Sequence, residues 1–387
     1  MGTQTSESMR KHERMSCHDG AMAALRSTIA RLLGRNGTAP AAVPPLVGFV
    51  VHGAGGVHPA SAHVRVTGRM SALAAEGLAR TVQVDPVRWA DGSDTAHLDA
   101  ILVQRDAFPL ASLDAAFARA RSEGTRIVAE VDDDFFTPEA RARLARAEYD
   151  PDRLAAVGRL VRSADAVVVA TERLRDVLAA EGVDAVVVPN GVQPGLWPSR
   201  PAEPATSGDR RVLYMGSATH DADLDLLRPV FEDFTTDDGR RVRLEVVGVT
   251  GDDDAWFDRL PIPEGATHYP AFVAFLAGQA DRWSAGVAPL TAERFNDAKS
   301  DLKFLEVTML GLPFVGSARP SYAGADAVGG LLVGDDPGAW RAALSTAIRE
   351  GPDRNRRARE HVLAERVVAA GRPNAGELAW RRALGVG

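Results

Sequence analysis

Apolar runs that do not alternate with polar residues recur along the chain: LVGFVV at 46–51, AILV at 100–103, RIVAEV at 126–131 and DAVVVAT at 165–171. A strand covered on both faces reads this way, whereas a strand with one wet face alternates. Stretches of helical spacing lie between them, so the chain is an α/β protein with parallel sheets. The series then starts again with RRVLYM at 210–215, RLEVVGV at 243–249, SAGVAPL at 284–290, LPFVGS at 312–317 and GGLLVG at 329–334. Between the two series, PNGVQPGLWPSRPAEP at 189–204 is dense in turn-forming Pro and Gly and reads as a linker. Two doubly wound, Rossmann-like domains facing across a cleft are the expected architecture.

The chain has 387 residues, enough for two cores of ordinary size. The expected divisions are a polar, disordered tail at 1–43, a first domain at 44–195, a second at 196–370 and a final helix at 371–387. A net charge of −7 and a pI near 5.8 argue against a general nucleic-acid binder. One cysteine, Cys17, provides no disulfide framework and no thiol metal site. No run of about 18 apolar residues is present to span a membrane, and the first residues are too polar for a secretory signal. A cytoplasmic protein is expected. Ala21 to Leu33, with Arg26, Arg31 and Arg35 near its polar side, has the pattern of an amphipathic helix suited to peripheral membrane contact or to docking on the domain itself.

The stretch from Phe295 to Ser317, FNDAKSDLKFLEVTMLGLPFVGS, carries the most chemistry. Leu302, Leu305 and Met309 have the spacing of one buried helix face. Lys299, Lys303 and Glu306 form a charged stripe beside it if the helical phase reaches back to Lys299. Ser300 is the expected N-cap, and the amides behind it, from Asp301 and Leu302 onward, sit at the positive end of the helix dipole, where phosphate is held. On its own such a stripe usually reads as a solvated face of weak ion pairs. Its place between an apolar strand and a Gly-Leu-Pro turn favours a binding role.

A phosphate-facing helix start, a Glu half a dozen residues later and a G-x-P-x-V turn into a strand resemble the donor-nucleotide motif of GT-B glycosyltransferases, in particular retaining glycosyltransferase family 4. The resemblance implies that Glu306 holds the ribose of a nucleotide sugar while Lys299, Ser300, Asp301, Leu302 and Lys303 surround its diphosphate. The usual pattern has a second Glu where this chain has Ala298; here the loop reads N-x-x-K-S-x-x-K-x-x-E. The implied function is transfer of a sugar from a nucleoside-diphosphate sugar to a hydroxyl on a small-molecule, glycan or lipid-linked acceptor, with retention and without an obligatory metal or other cofactor. A nucleotide-sugar epimerase of the same fold and a catalytically silent nucleotide-sugar-binding partner are the alternatives.

Other candidates follow from position. Gly55 and Gly56, after the first strand, are expected to line the cleft; as a dinucleotide fingerprint the loop fails, because the third glycine position is His58. Arg65 and Arg69 are read as contacts for an anionic acceptor. Asp132, Asp133 and Asp134 end a strand and repel one another unless a cation or hydroxyl donors meet them, so they are read as catalytic groups on the acceptor side. Asp132 and Asp134 also form a D-x-D, the metal signature of the GT-A fold, and the same acids would serve a bland role as helix caps. Gly216, Ser217 and His220, after the first strand of the second series, are expected to meet the donor phosphates.

Overall fold

The computed structural model describes residues 43–53, 57–199, 208–216, 221–248 and 256–387. The expected tail up to residue 42, its amphipathic stretch, and Gly55, Gly56, Ser217 and His220 lie outside the described residues.

Pro44–Gly387 form one compact unit containing two parallel six-stranded sheets. The first consists of β1 (Leu46–Val50), β2 (Arg80–Gln83), β3 (Ala100–Gln104), β4 (Arg126–Val131), β5 (Ala166–Val169) and β6 (Val186–Val187), in spatial order 2-1-3-4-5-6. The second consists of β7 (Arg210–Gly216), β8 (Val242–Gly248), β9 (Asp258–Leu260), β10 (Trp283–Ala288), β11 (Phe314–Ser317) and β12 (Leu331–Val333), in order 12-11-10-7-8-9. Both sheets are covered on both faces, which is why central strands such as β3 and β10 are buried along their whole length. In β3, Ile101 and Val103 join one core cluster while Ala100 and Leu102 join the one on the opposite face. In β7, Val212 and Tyr214 face one way, Leu213 and Met215 the other. That alternation is the period-two geometry of a strand.

Two elements differ from the sequence reading in a way that bears on the site. The spacing after the first strand predicts a helix from about Val66 to Ala79; the helix begins at Ala60, passes through a π-helical turn over His63–Thr67 and continues as Gly68–Ala75. Its opening residues carry no apolar repeat, so periodicity cannot reveal them. The stretch 337–360, which reads as closing helices broken at Pro352, is part of one helix, Pro337–Glu365, with Pro352 inside it. Buried Asn355 anchors it there, donating from Nδ2 to the carbonyls of Thr308 (2.9 Å) and Leu312 (3.0 Å). The last helix, Ala375–Leu384, lays Trp380, Ala383 and Leu384 against Val47, Leu102 and Val128 of the first sheet.

Arg65 and Arg69 are core residues, each 1% exposed. Arg65 Nε donates to Glu130 at 2.7 Å, and its Nη1 donates to the Val188 carbonyl (2.6 Å) and Asn190 Oδ1 (2.9 Å). Arg69 pairs with Glu377 of the last helix at 2.8 Å and with the Pro189 carbonyl at 2.8 Å. Both guanidinium groups are taken up by these protein partners. The expected acceptor role is corrected to a structural one: the two arginines tie the 60–75 helix, the first sheet, the 188–190 segment and the last helix together. Among the described residues no helix is long and apolar enough to cross a membrane.

Candidate functional site

In an open parallel sheet, ligands settle outside the carboxyl ends of the strands where the order reverses. In the second sheet that point lies between β7 and β10, because the chain winds outward from β7 through β8 and from β10 through β11. A cavity of about 130 Å³ opens there, lined among the described residues by Tyr214 and Met215 from β7, Leu290 after β10, and Lys299, Ser300 and Lys303. The stretch singled out in the sequence therefore reaches the sheet's switch point.

The loop leading to it is folded by Asp223, a buried carboxylate whose Oδ1 accepts from Thr291 N (2.7 Å), Thr291 Oγ1 (3.0 Å) and Asn296 Nδ2 (3.0 Å). Lys299 Nζ then lies 4.9 Å from the centroid of the Phe295 ring, and the Arg143 guanidinium lies 4.7 Å from the same ring. Burial pushes the Lys299 pKa below its usual value of 10.5, Asp133 and Asp223 pull it back up, and Arg143 and Arg105 add to the lowering. Among the described residues the Lys299 ammonium has no ion-pair partner within 4.0 Å.

Helical geometry begins at Leu302 and ends at Met309, so Lys299 precedes the helix and the charged stripe is shortened to Lys303 and Glu306. Ser300 is not the cap. Its Oγ accepts from Asn190 Nδ2 at 2.8 Å, and the N-cap residue is Asp301, whose carboxylate is taken by Arg366 at 2.7 and 2.8 Å. No side chain caps the first turn, which leaves its amides available to an anion beside the cavity. Glu306 is 2% exposed; its Oε1 accepts from the Tyr269 hydroxyl (3.0 Å) and its Oε2 from Lys303 Nζ (2.8 Å). Burial, reinforced by the Glu306 charge, pushes the Tyr269 hydroxyl pKa up, so the tyrosine is a donor. Ala298 is 1% exposed and its carbonyl accepts from Thr171 Oγ1 at 2.9 Å, so the position where the usual motif has Glu is packed against the first half of the molecule. At Gly216 a Cβ would come within 2.6 Å of the Tyr214 hydroxyl, so glycine there admits the tyrosine that lines the cavity.

On the facing side, Asp132 and Asp133 are both held by Arg105, with Arg105 Nη2 to Asp133 at 2.7 Å. The cation that the three carboxylates called for is thus internal. Asp134, 2% exposed, accepts at Oδ1 from the amides of Phe136 (2.8 Å) and Thr137 (3.1 Å). It shapes the turn into the Pro138–Arg146 helix, which corrects its expected catalytic role. No group of three or more His, Cys, Asp or Glu placed to hold a metal occurs among the described residues. The two sides also meet directly: Arg143 pairs with Glu293 at 2.9 Å. Sequence reasoning missed Arg105, Tyr269, Asn190 and Arg366. The RD that follows β3 was the available signal for the first, and the other three gain their roles from long-range packing.

No protein-family model matches the sequence, and no curated protein does. Solved structures do match in shape. HepE of Anabaena, solved with UDP and glucose, aligns over 84% of this chain and 96% of its own at 12% identity and a TM-score of 0.54. The fold is GT-B. A trehalose-6-phosphate synthase used to study glycosyl transfer with retention aligns over 76% of both chains at 16% identity and a TM-score of 0.53. TarM of S. aureus, in complex with UDP, fondaparinux and α-GlcNAc-glycerol, aligns over 76% of this chain at 11% identity and a TM-score of 0.51. This chain spans only 58% of TarM's length. In GT-B terms, the switch point between β7 and β10 belongs to the second Rossmann-like sheet, and Asp132, Asp133 and Arg105 lie at the carboxyl edge of the first.

Proposed function

We propose that the protein transfers a glycosyl group from a nucleoside-diphosphate sugar to a hydroxyl acceptor in the cytoplasm, with retention of anomeric configuration and without an obligatory metal. The observation that carries this reading is the switch-point cavity of the second sheet, where partly desolvated Lys299 and an uncapped helix start converge. As the bond to the sugar breaks, negative charge grows on the leaving diphosphate, and donors fixed in advance at that place lower the barrier. HepE and TarM, both solved with UDP, support a nucleoside diphosphate as the occupant. Retention and metal independence rest on the resemblance to family 4.

Each Glu306 oxygen has one protein donor, and the resemblance to family 4 assigns the further acceptor capacity of the carboxylate to a ribose hydroxyl. Glu306→Gln keeps the shape and loses the charge. Nucleotide affinity should fall about 10- to 100-fold, the worth of a charge-assisted hydrogen bond. Titration calorimetry with UDP, GDP and ADP reads it, and unchanged affinity would remove Glu306 from the site. Turnover tests separate the alternatives. Nucleoside diphosphate released only with an acceptor supports transfer, an isomerised donor supports an epimerase, and binding without turnover supports a silent partner.

A further inference from the structure

The switch-point cavity has a further wall in the short 3-10 turn Pro320–Tyr322, which follows the carboxyl end of β11. The Tyr322 ring packs edge-on against Phe314 with 5.1 Å between centroids. Gly316 leaves the room for this pair, since a Cβ there would come within 2.6 Å of the Phe314 ring and 3.2 Å of the Tyr322 ring. The turn is pinned to the loop after β10 at two points: Arg319 Nε donates to the Leu290 carbonyl at 3.2 Å, and Ser321 Oγ donates to the Asn296 carbonyl. The ring is therefore in place before any ligand arrives.

Tyr322 is 3% exposed, and what it exposes lines the cavity beside Lys299 and Ser300. Among the described residues its hydroxyl has no hydrogen-bond partner. A buried phenol usually has an acceptor, because an unmade hydrogen bond leaves the group stripped of water with nothing in return. Burial pushes the Tyr322 pKa up, and Tyr214, Asp223, Asp301 and Glu306 add to the rise, so the hydroxyl keeps its proton and can donate it. The cations that line the cavity among the described residues are Lys299 and Lys303, and Lys303 Nζ is taken by Glu306 at 2.8 Å. A diphosphate carries more than one negative charge. Lys299 alone does not balance it, and a neutral donor fixed alongside serves one of the remaining oxygens.

We infer that the Tyr322 hydroxyl donates a hydrogen bond to the diphosphate of the nucleotide sugar, next to Lys299; this rests on the transferase reading. Ionised phosphate oxygens only accept, so they supply the partner that the phenol lacks in the free protein. The proton stays on the phenol throughout. Its hydrogen bond strengthens as the departing diphosphate gains charge.

The test is Tyr322→Phe in the full chain, which keeps the ring on Phe314 and removes only the oxygen. Because that oxygen has no partner in the free protein, the unfolding temperature should stay the same or rise slightly. Affinity for UDP, GDP or ADP, whichever the wild type binds, should fall about 10- to 100-fold by titration calorimetry, the worth of a hydrogen bond to a charged group. A hydroxyl that served packing alone would give the reverse pattern, a lower unfolding temperature with nucleotide affinity kept. That pattern, or wild-type affinity at unchanged stability, overturns the inference and leaves the transferase reading intact. Wild-type protein that binds none of the three nucleotides overturns both.

Discussion

Lys299→Ala should lower kcat by about 10²- to 10³-fold, the cost of removing one preorganised donor from a site where charge develops. It should leave thermal stability nearly unchanged, because Arg143 remains over the Phe295 ring that the ammonium covers. Nucleoside-diphosphate affinity should fall with it. The pH dependence provides a sharper signature. Burial depresses the Lys299 pKa from 10.5 in the free protein, and a bound diphosphate places negative charge beside it and raises the pKa again. Binding therefore takes up protons on the alkaline side, and affinity weakens as pH rises through the free protein's Lys299 pKa. Calorimetry in buffers of different ionisation heat measures this uptake. Its persistence in Lys299→Ala would assign it to another group.

The second large effect is expected in the core. Glu130→Ala leaves the Arg65 guanidinium, 1% exposed, without its counter-charge. Breaking one side of a buried pair costs about 3–5 kcal/mol, a large part of a typical domain's 5–15 kcal/mol. The midpoint of denaturant unfolding measures it. Arg65→Met combined with Glu130→Leu should recover most of the loss, because a buried pair is worth little more than an apolar replacement of similar volume. The core reaches the site as well. Arg65 Nη1 holds Asn190 Oδ1, and Asn190 Nδ2 holds Ser300 Oγ, so Glu130→Ala should also loosen nucleotide binding. Equal stability of Glu130→Ala and wild type would mean that the pair contributes packing alone.

Both results mark how far the sequence could be read. The sheets were legible because doubly covered strands show continuous apolar runs: AILV is the first four residues of β3 and AVVV the whole of β5. The break after the Leu302–Met309 helix was legible too, since Gly311 has φ 92°, which glycine accommodates freely. Arg65 and Arg69 were misread because burial of a charge depends on a partner far along the chain. Glu130 lies 65 residues from Arg65, and Glu377 lies 308 residues from Arg69. Asp132 and Asp133 were correctly seen to need a cation, but Arg105 belongs to a different strand end and only the parallel pairing of β3 with β4 brings it near. Ser300 fits the chemistry of a cap, yet Asn190 takes its hydroxyl and Arg366 takes the neighbouring Asp301.

The most direct measurement is a crystal structure with a bound nucleoside diphosphate. The account predicts diphosphate oxygens at about 2.7–3.2 Å from Lys299 Nζ and from backbone amides of the first turn after Asp301, with the ribose directed toward Glu306. A diphosphate lodged at the first sheet, or at the second sheet without contact to Lys299 or that helix start, would contradict it.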